Sequence, residues 1–193
     1  MSAIPDVRTR RWKRVEYERM IDCGIFRPDE RLELIDGVLV LREPQSSPHM
    51  TATRLAQEAL RVAFGPGWDV RPQGPVALDD DSEPEPDVSV VAGSPRDYVD
   101  AHPMRPVLVV EISLSSLAFD RAEKSSLYAR AGIADYWIVN LVERVVEVRR
   151  TPIRADTAAY GWTYASLDVA GPDDTVAALA APAALVRVRD LLP

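Results

Sequence analysis

Cysteine is nearly absent from this sequence, since Cys23 is the only one among 193 residues. A single cysteine excludes a disulfide within the chain and is typical of proteins in reducing compartments. We therefore predict a cytoplasmic location. Cys23 lies in a helix-like stretch, where we expect a buried structural thiol rather than a nucleophile.

Long apolar runs are also missing. The longest, over residues 176–186, is interrupted by Pro182 and falls short of the roughly 20 residues that a membrane-spanning helix requires. The basic N-terminal residues are not followed by the apolar segment of a signal peptide. These absences predict a protein that has no membrane among its partners.

Positive charge is scarce, because the formal net charge is −7. Proteins that bind nucleic acid generally carry a basic surface, so tight, sequence-specific DNA binding by the chain alone is disfavoured. A metal-dependent nuclease stays open, since a bound cation supplies positive charge locally. For the one basic cluster we keep two interpretations, a phosphate-contacting arm and a solvated helix start. Its members are Arg8, Arg10, Arg11, Lys13 and Arg14.

The composition is that of a globular protein, with 47% hydrophobic residues. The length suits one domain, so we predict a single domain over residues 1–193 with residues 1–11 as a flexible N-terminal arm. Hydrophobic periodicity predicts interleaved helices and strands, which favours an α/β fold with a central mixed sheet flanked by helices. The predicted helices span 12–23, 48–64 and 120–131, and the predicted strands span 32–35, 38–41, 68–78, 88–91, 107–112, 136–139, 145–148 and 162–167. The strand over 68–78 is expected to be broken by Pro72 and by Gly74-Pro75.

Turn-forming residues define two of the connections. Asp36-Gly37 separates two short apolar runs, which is a strong signal for a β-hairpin. Residues 79–86 are acidic and contain proline, so we expect a solvated loop there. Residues 162–167 are expected to form an edge strand.

Two carboxylates lie next to apolar runs that predict strands. Asp87 precedes the run 88–91, and Glu111 follows four apolar residues. A carboxylate is expensive to bury unless it is paired or coordinates a metal. Two such groups at neighbouring strand ends suit Mg²⁺, which prefers oxygen ligands and keeps several waters. The sequence therefore predicts a metal site at Asp87 and Glu111.

A wider pattern carries a family resemblance. Its elements are Glu33-Leu34-Ile35-Asp36-Gly37, Ser47-Pro48-His49, Pro86-Asp87, Glu111-Ile112-Ser113, Asp120 with Lys124 and Tyr128, and the run 132–139. Together, over about residues 12–192, they resemble the Uma-type family of restriction endonucleases, within the PD-(D/E)XK nuclease superfamily. One departure is Ser113, which stands where the superfamily usually has lysine.

The resemblance implies a restriction-endonuclease-like fold and hydrolysis of nucleic-acid phosphodiester bonds, with DNA as the expected substrate. It implies Mg²⁺ as cofactor, with Mn²⁺ as a substitute, held by Asp87, Glu111, Glu33 and the Ile112 carbonyl. Lys124 then takes the place of the usual lysine as the catalytic cation. Whether two chains pair as a homodimer is left open, because cutting both DNA strands takes two sites or two visits.

The remaining candidates are assigned to substrate binding. His49 precedes an amphipathic helix, where an imidazole near neutral pH can contact phosphate or assist proton transfer; a structural role is the alternative. Ser113 shares a strand face with Glu111, because alternate residues point to the same side. Glu33 fits either a metal ligand or the solvated edge of the hairpin.

The other site residues also have structural interpretations. Lys124 lies four residues after Asp120, the favourable order for an exposed helical ion pair. Glu111 has Arg105 or Arg121 as candidate partners. For the whole chain, one alternative is a catalytically inactive nuclease-fold module that binds nucleic acid or a protein partner. A second is a structural assembly module whose carboxylates only form ion pairs.

Overall fold

The N-terminal part of the chain forms a helix and a hairpin. The computed structural model describes residues 9–27, 29–42 and 44–193, so Arg8 and most of the predicted arm lie outside the described residues. Helix α1 spans Arg14–Asp22, and strands β1 (Leu32–Ile35) and β2 (Val38–Leu41) pair antiparallel. Asp36 and Gly37 both have positive φ, as in the type I′ turn that this dipeptide favours. The predicted hairpin is confirmed.

Helix α2 (Ser47–Phe64) follows the hairpin and begins one residue before the predicted helix. Pro48 lies in its first turn, where a missing N–H leaves no hydrogen bond unmade. Ala52, Ala56 and Leu60 are buried in the aliphatic core. Their helical spacing produces the apolar stripe that packs on the sheet.

A mixed sheet with six strands forms the centre of the fold. The strand order is β3-β4-β5-β6-β7-β8, with β5 and β6 parallel and the other neighbours antiparallel. The last strand lies at an edge, as expected, and the predicted mixed sheet flanked by helices is confirmed. The strands are β3 (Trp68–Pro72), β4 (Val88–Ala92), β5 (Leu108–Ser113), β6 (Asp135–Asn140), β7 (Val145–Arg154) and β8 (Trp162–Ala170).

Alternation along β5 separates two faces of the sheet. Leu108, Val110 and Ile112 lie in the core beneath α2, which we call the aliphatic face. Val109 belongs to a second cluster with tyrosines, on the side that we call the polar face. Because successive strand residues point to opposite sides, Glu111 lies on the polar face.

The helix predicted over residues 120–131 is longer and less regular than expected. It begins as α3 (Leu117–Phe119), passes through a π-helical segment (Asp120–Lys124) and continues as α4 (Ser125–Arg130). Asp120 and Lys124 are both buried within the π-helical segment. Such segments inside α-helices are frequent at functional sites.

Short elements complete the fold. A 3₁₀ turn (Pro95–Tyr98) joins β4 to β5, and the C-terminal part contributes β9 (Thr175–Val176), β10 (Val186–Arg187) and a 3₁₀ turn (Val188–Leu191). Val188 and Leu191 close the aliphatic face against α2. Among the described residues, none of the helices is both long and apolar enough to cross a membrane.

Outside the site, two expectations were wrong and a third was right in part. The strand predicted over 68–78 is broken at Pro72, as expected, but it does not resume: Gln73 adopts a positive φ and donates its N–H to the Asp87 carbonyl (3.0 Å). Cys23 is exposed, since it follows the surface end of α1. The acidic loop is not solvated throughout, because Glu83 exchanges backbone hydrogen bonds with Leu34 of β1 and is buried.

Candidate active site

A pocket of about 710 Å³ lies between the hairpin, the start of α2 and the C-terminal end of β5. The charged side chains that line it are Glu33, Arg42, His49, Asp87, Glu111, Asp120 and Lys124. Four carboxylates thus face two permanent cations and one imidazole. The pocket is therefore rich in carboxyl oxygens, which are the ligands that a hard cation binds.

Asp87 and Glu111 meet at the floor of this pocket. They are 3% and 4% exposed, respectively. The Asp87 N–H donates to Glu111 Oε2 (3.2 Å), and the Ile112 N–H donates to Asp87 Oδ2 (2.8 Å). The register of β4 on β5, with Val88 opposite Val110, brings the two carboxylates together. The structure therefore places the two predicted metal ligands side by side.

Lys124 joins this pair from the π-helical segment. Its Nζ lies 2.6 Å from Glu33 Oε2 and 3.4 Å from Glu111 Oε1. Burial acts to lower the pKa of Lys124, but the charges of Glu111 and Glu33 outweigh it and raise the pKa. The ammonium therefore stays charged. Because Lys124 and Asp120 are both buried, the alternative of an exposed ion pair between them is wrong. Glu33 is also buried, so its alternative as a solvated hairpin edge is wrong too.

Glu111 is held at both carboxylate oxygens. In addition to the contacts with Asp87 and Lys124, Oε1 accepts a hydrogen bond from the Tyr128 hydroxyl (2.7 Å). Burial raises the pKa of Glu111 to about 8; Lys124 opposes this shift, and Asp87 adds to it. The predicted alternatives Arg105 and Arg121 are wrong, since Arg105 is exposed and Arg121 binds Glu147 at 2.6 Å.

Two side chains from the hairpin and α2 flank Asp87. His49 Nε2 lies 3.1 Å from Asp87 Oδ2, and Arg42 Nη2 lies 3.5 Å from Asp87 Oδ1. Burial acts to lower the pKa of His49, but the hydrogen bond and charge of Asp87 outweigh it and raise the pKa. Arg42 also binds Glu85 (2.7 Å). Arg42 was missed from the sequence, although it ends an apolar strand as Glu111 does.

Ser113 lies behind the pocket rather than in its lining. The side chain is fully buried and donates a hydrogen bond to Asp120 Oδ2. Ser116 donates to the same oxygen (2.6 Å), and the Tyr136 hydroxyl donates to the Asp120 carbonyl (3.0 Å). Ser113 thus orients Asp120, and its predicted role in substrate binding stays a prediction.

The donor set at the floor fits a hard divalent cation. Among the described residues, no group of three or more His, Cys, Asp or Glu side chains is arranged to hold a metal. Mg²⁺, however, is commonly bound through one or two carboxylates, with waters filling its shell. Asp87 Oδ1 is buried and accepts no hydrogen bond, although Arg42 Nη2 lies 3.5 Å away, so one carboxylate oxygen beside Glu111 is free of hydrogen bonds.

The described members of the basic cluster form ion pairs with acidic side chains. These contacts support the interpretation as a helix start rather than a phosphate-contacting arm. The pairs are Arg10 with Glu16, Arg11 with Asp36, Lys13 with Asp81 and Arg14 with Glu18.

A family model matches this chain over residues 14–184, and its description is "Putative restriction endonuclease". The chain belongs to this family, Uma2. The match contains the hairpin, β4, β5 and the π-helical segment, and therefore every residue of the site. Membership in the Uma2 family supports a nuclease function.

A solved structure shows the same fold. It is the crystal structure of a "putative nuclease belonging to DUF820" from Anabaena variabilis, with a TM-score of 0.66 and 15% sequence identity. The similarity covers 88% of this chain and 94% of that chain. Among curated proteins, no match was found.

Proposed function

We propose that this chain is a magnesium-dependent endonuclease that hydrolyses phosphodiester bonds of DNA. The observation that carries the proposal is the contact of Asp87 with Glu111 at the floor of a pocket, with buried Lys124 beside Glu111. The Uma2 family supports nuclease chemistry. The metal and the DNA substrate are inferred from the oxygen donors and from the family description.

Asp87 and Glu111 would hold the cation, with Glu33 and the Ile112 carbonyl as further candidate ligands. When bound, Mg²⁺ polarises a phosphate and lowers the pKa of a water molecule; Mn²⁺ would substitute for it. Tyr128 fixes the orientation of Glu111 through its hydroxyl. The carboxylates thus lie preorganised before substrate arrives.

Lys124 would neutralise the charge that develops on the phosphate. Preorganised cations in a site that excludes water stabilise such charge far better than they do in bulk solvent. His49 and Arg42 lie beside Asp87, where they would contact the phosphate or a neighbouring phosphate. Ser113 supports the site through Asp120.

Nicking of supercoiled plasmid DNA in Mg²⁺ tests the proposal. We expect Asp87→Asn and Glu111→Gln to lower the cleavage rate by about 10²–10³-fold or more. Asp69→Asn is the matched control, because Asp69 is a buried carboxylate on β3 that does not line the pocket. Equal background cleavage by the wild type and Asp87→Asn would overturn the proposal.

The alternative function is an inactive module that binds nucleic acid or a protein partner. It is favoured by Ser113, at the usual lysine position, and by the internal pairing of Lys124 with Glu33. The nicking assay separates this module from the active enzyme. Calorimetry with Mn²⁺ tests the second alternative, a structural assembly module, because absence of binding at millimolar metal would favour ion pairing of the carboxylates alone. The cytoplasmic location, the single domain and a homodimer stay predictions.

A further inference from the structure

The proposed catalytic centre is recessed below the protein surface. Glu33, Asp87 and Lys124 are each 3% exposed, and Glu111 is 4% exposed. A phosphate therefore reaches them only through the pocket. Enzymes that act on a base take the target nucleotide out of the stack or act on strands that are already unpaired. A backbone phosphate that must reach a recessed floor sets a similar steric requirement.

Large apolar side chains share the pocket lining with polar ones such as Ser46 and Ser115. Val40 and Leu41 line one side, and Leu114 and Phe119 line another. Leu41 and Leu114 are 62% and 39% exposed, so they lie toward the open end of the pocket, whereas the carboxylates lie at its floor. Apolar and aromatic side chains bind nucleobases by stacking, whatever the base. The apolar side chains near the pocket opening could therefore contact a base, while the charged floor would contact the phosphate of the same nucleotide.

The same lining lacks what a duplex requires. Arg42, His49 and Lys124 are its cationic side chains, and each already lies against a carboxylate. Duplex binding depends on many Lys and Arg contacts to phosphates, whereas the whole chain carries a net charge of −7. The charge distribution therefore suits one or two phosphates rather than a long track of them.

We infer that this site takes an unpaired nucleotide of a DNA strand, with its base against Leu114 and Phe119 and its phosphate toward Asp87 and Glu111. The inference rests on the proposed nuclease function and specifies the substrate of the same site. The pocket volume of about 710 Å³ lies within the usual range for sites that enclose a small molecule. One nucleotide fits this class of cavity.

The test compares three labelled oligonucleotides with the same sequence: a single strand, a fully paired duplex, and a duplex with a central unpaired bulge. In Mg²⁺, we expect kcat/KM for the single strand and the bulge to exceed that for the paired duplex by about tenfold or more. Leu114→Ala should lower kcat/KM for the single strand by about fivefold or more, as expected for a lost apolar contact with the base.

Leu167→Ala is the matched control, because Leu167 is an exposed leucine on β8 outside the pocket. Phe119→Leu serves as a second variant, and thermal unfolding verifies that each variant is folded. The inference is overturned if the paired duplex is cut as fast as the single strand, or if Leu114→Ala behaves like Leu167→Ala. Failure to cut all three substrates would instead overturn the nuclease proposal.

Discussion

The two faces of the central sheet differ in what they bury. The aliphatic face beneath α2 contains Val88, Leu108 and Val110, whereas the polar face buries carboxylates, a lysine and tyrosine hydroxyls. A single strand, β5, supplies both faces in alternation. Burying charges costs several kcal/mol per ion unless they are well paired. The comparison indicates that one face provides the stability that lets the other keep a charged centre.

Charge on the polar face is tolerated because nearly every buried group has a partner. Glu111 is bound by Asp87, Lys124 and Tyr128, and Lys124 is bound by Glu33 as well. Asp87 Oδ1, which lies 3.5 Å from Arg42 Nη2, accepts no hydrogen bond. A protein usually departs from full satisfaction of its buried polar groups where function requires it. If so, variants on the two faces should separate stability from activity.

The largest effect is expected for Lys124→Met. Loss of the ammonium leaves the carboxylates of Glu33 and Glu111 buried without their cation, which typically costs about 3–5 kcal/mol. The rate of plasmid cleavage should fall by about 10²–10³-fold. Urea denaturation and the nicking assay measure the two effects. Lys13→Met is the control, since Lys13 is an exposed lysine, and a loss of stability in both variants alike would contradict a special role for Lys124.

On the aliphatic face, Leu108→Ala should reduce stability and leave chemistry intact. Leu108 is fully buried and lies on the same strand as Glu111. Truncation of a buried leucine costs about 2–5 kcal/mol because a cavity remains. The free energy of unfolding should fall by that amount, while the cleavage rate per folded molecule, measured well below the unfolding midpoint, should stay within about twofold. A large loss of rate in the folded variant would mean that the faces are not separable.

Glu83 offers a third comparison, since it is buried outside the polar face with Oε2 lacking a hydrogen-bond partner. Burial, with the nearby Glu18 charge, raises its pKa to about 7. The unfolded value is about 4.3, so the folded state binds more protons between these values and stability falls as pH rises. Glu83→Gln should therefore stabilise the protein by about 2 kcal/mol at pH 8 and by little at pH 4.

Chemical denaturation at several pH values measures this difference. Glu58→Gln is the matched control, because Glu58 is exposed on α2. A parallel shift of both variants at all pH values would show that the Glu83 carboxyl does not carry the pH dependence.

Sequence patterns predicted the helices, strands and turns of the fold better than the side-chain contacts between them. Asp36-Gly37 fixed the hairpin because turn chemistry is local, and the apolar run ending at Glu111 marked a buried strand. The contact between Glu33 and Lys124 joins residues 91 positions apart, so no local pattern contains it. The helical spacing rule instead predicted a pair of Lys124 with Asp120.

The acidic loop shows the same limit. Its composition predicted exposure, yet Glu83 pairs its backbone with Leu34 and is thereby carried into the interior. Arg42 could have been found from its place at the end of an apolar strand, where an isolated charge is expensive to bury. Its partners Glu85 and Asp87 are set by tertiary packing, which the sequence does not display.

The smallest expected effect concerns Tyr128, whose hydroxyl donates to Glu111 Oε1 (2.7 Å). Tyr128→Phe removes one hydrogen bond and keeps the aromatic packing, so the free energy of unfolding should fall by about 1 kcal/mol. Mutation of a group that orients a metal ligand typically lowers metal affinity by about 10–100-fold. We therefore expect Mn²⁺ binding, measured by calorimetry, to weaken by about tenfold. Tyr164→Phe is the control, because its hydroxyl donates to the Ile133 carbonyl outside the pocket (2.8 Å). Equal weakening in both variants would mean that Tyr128 supports the fold and does not position Glu111.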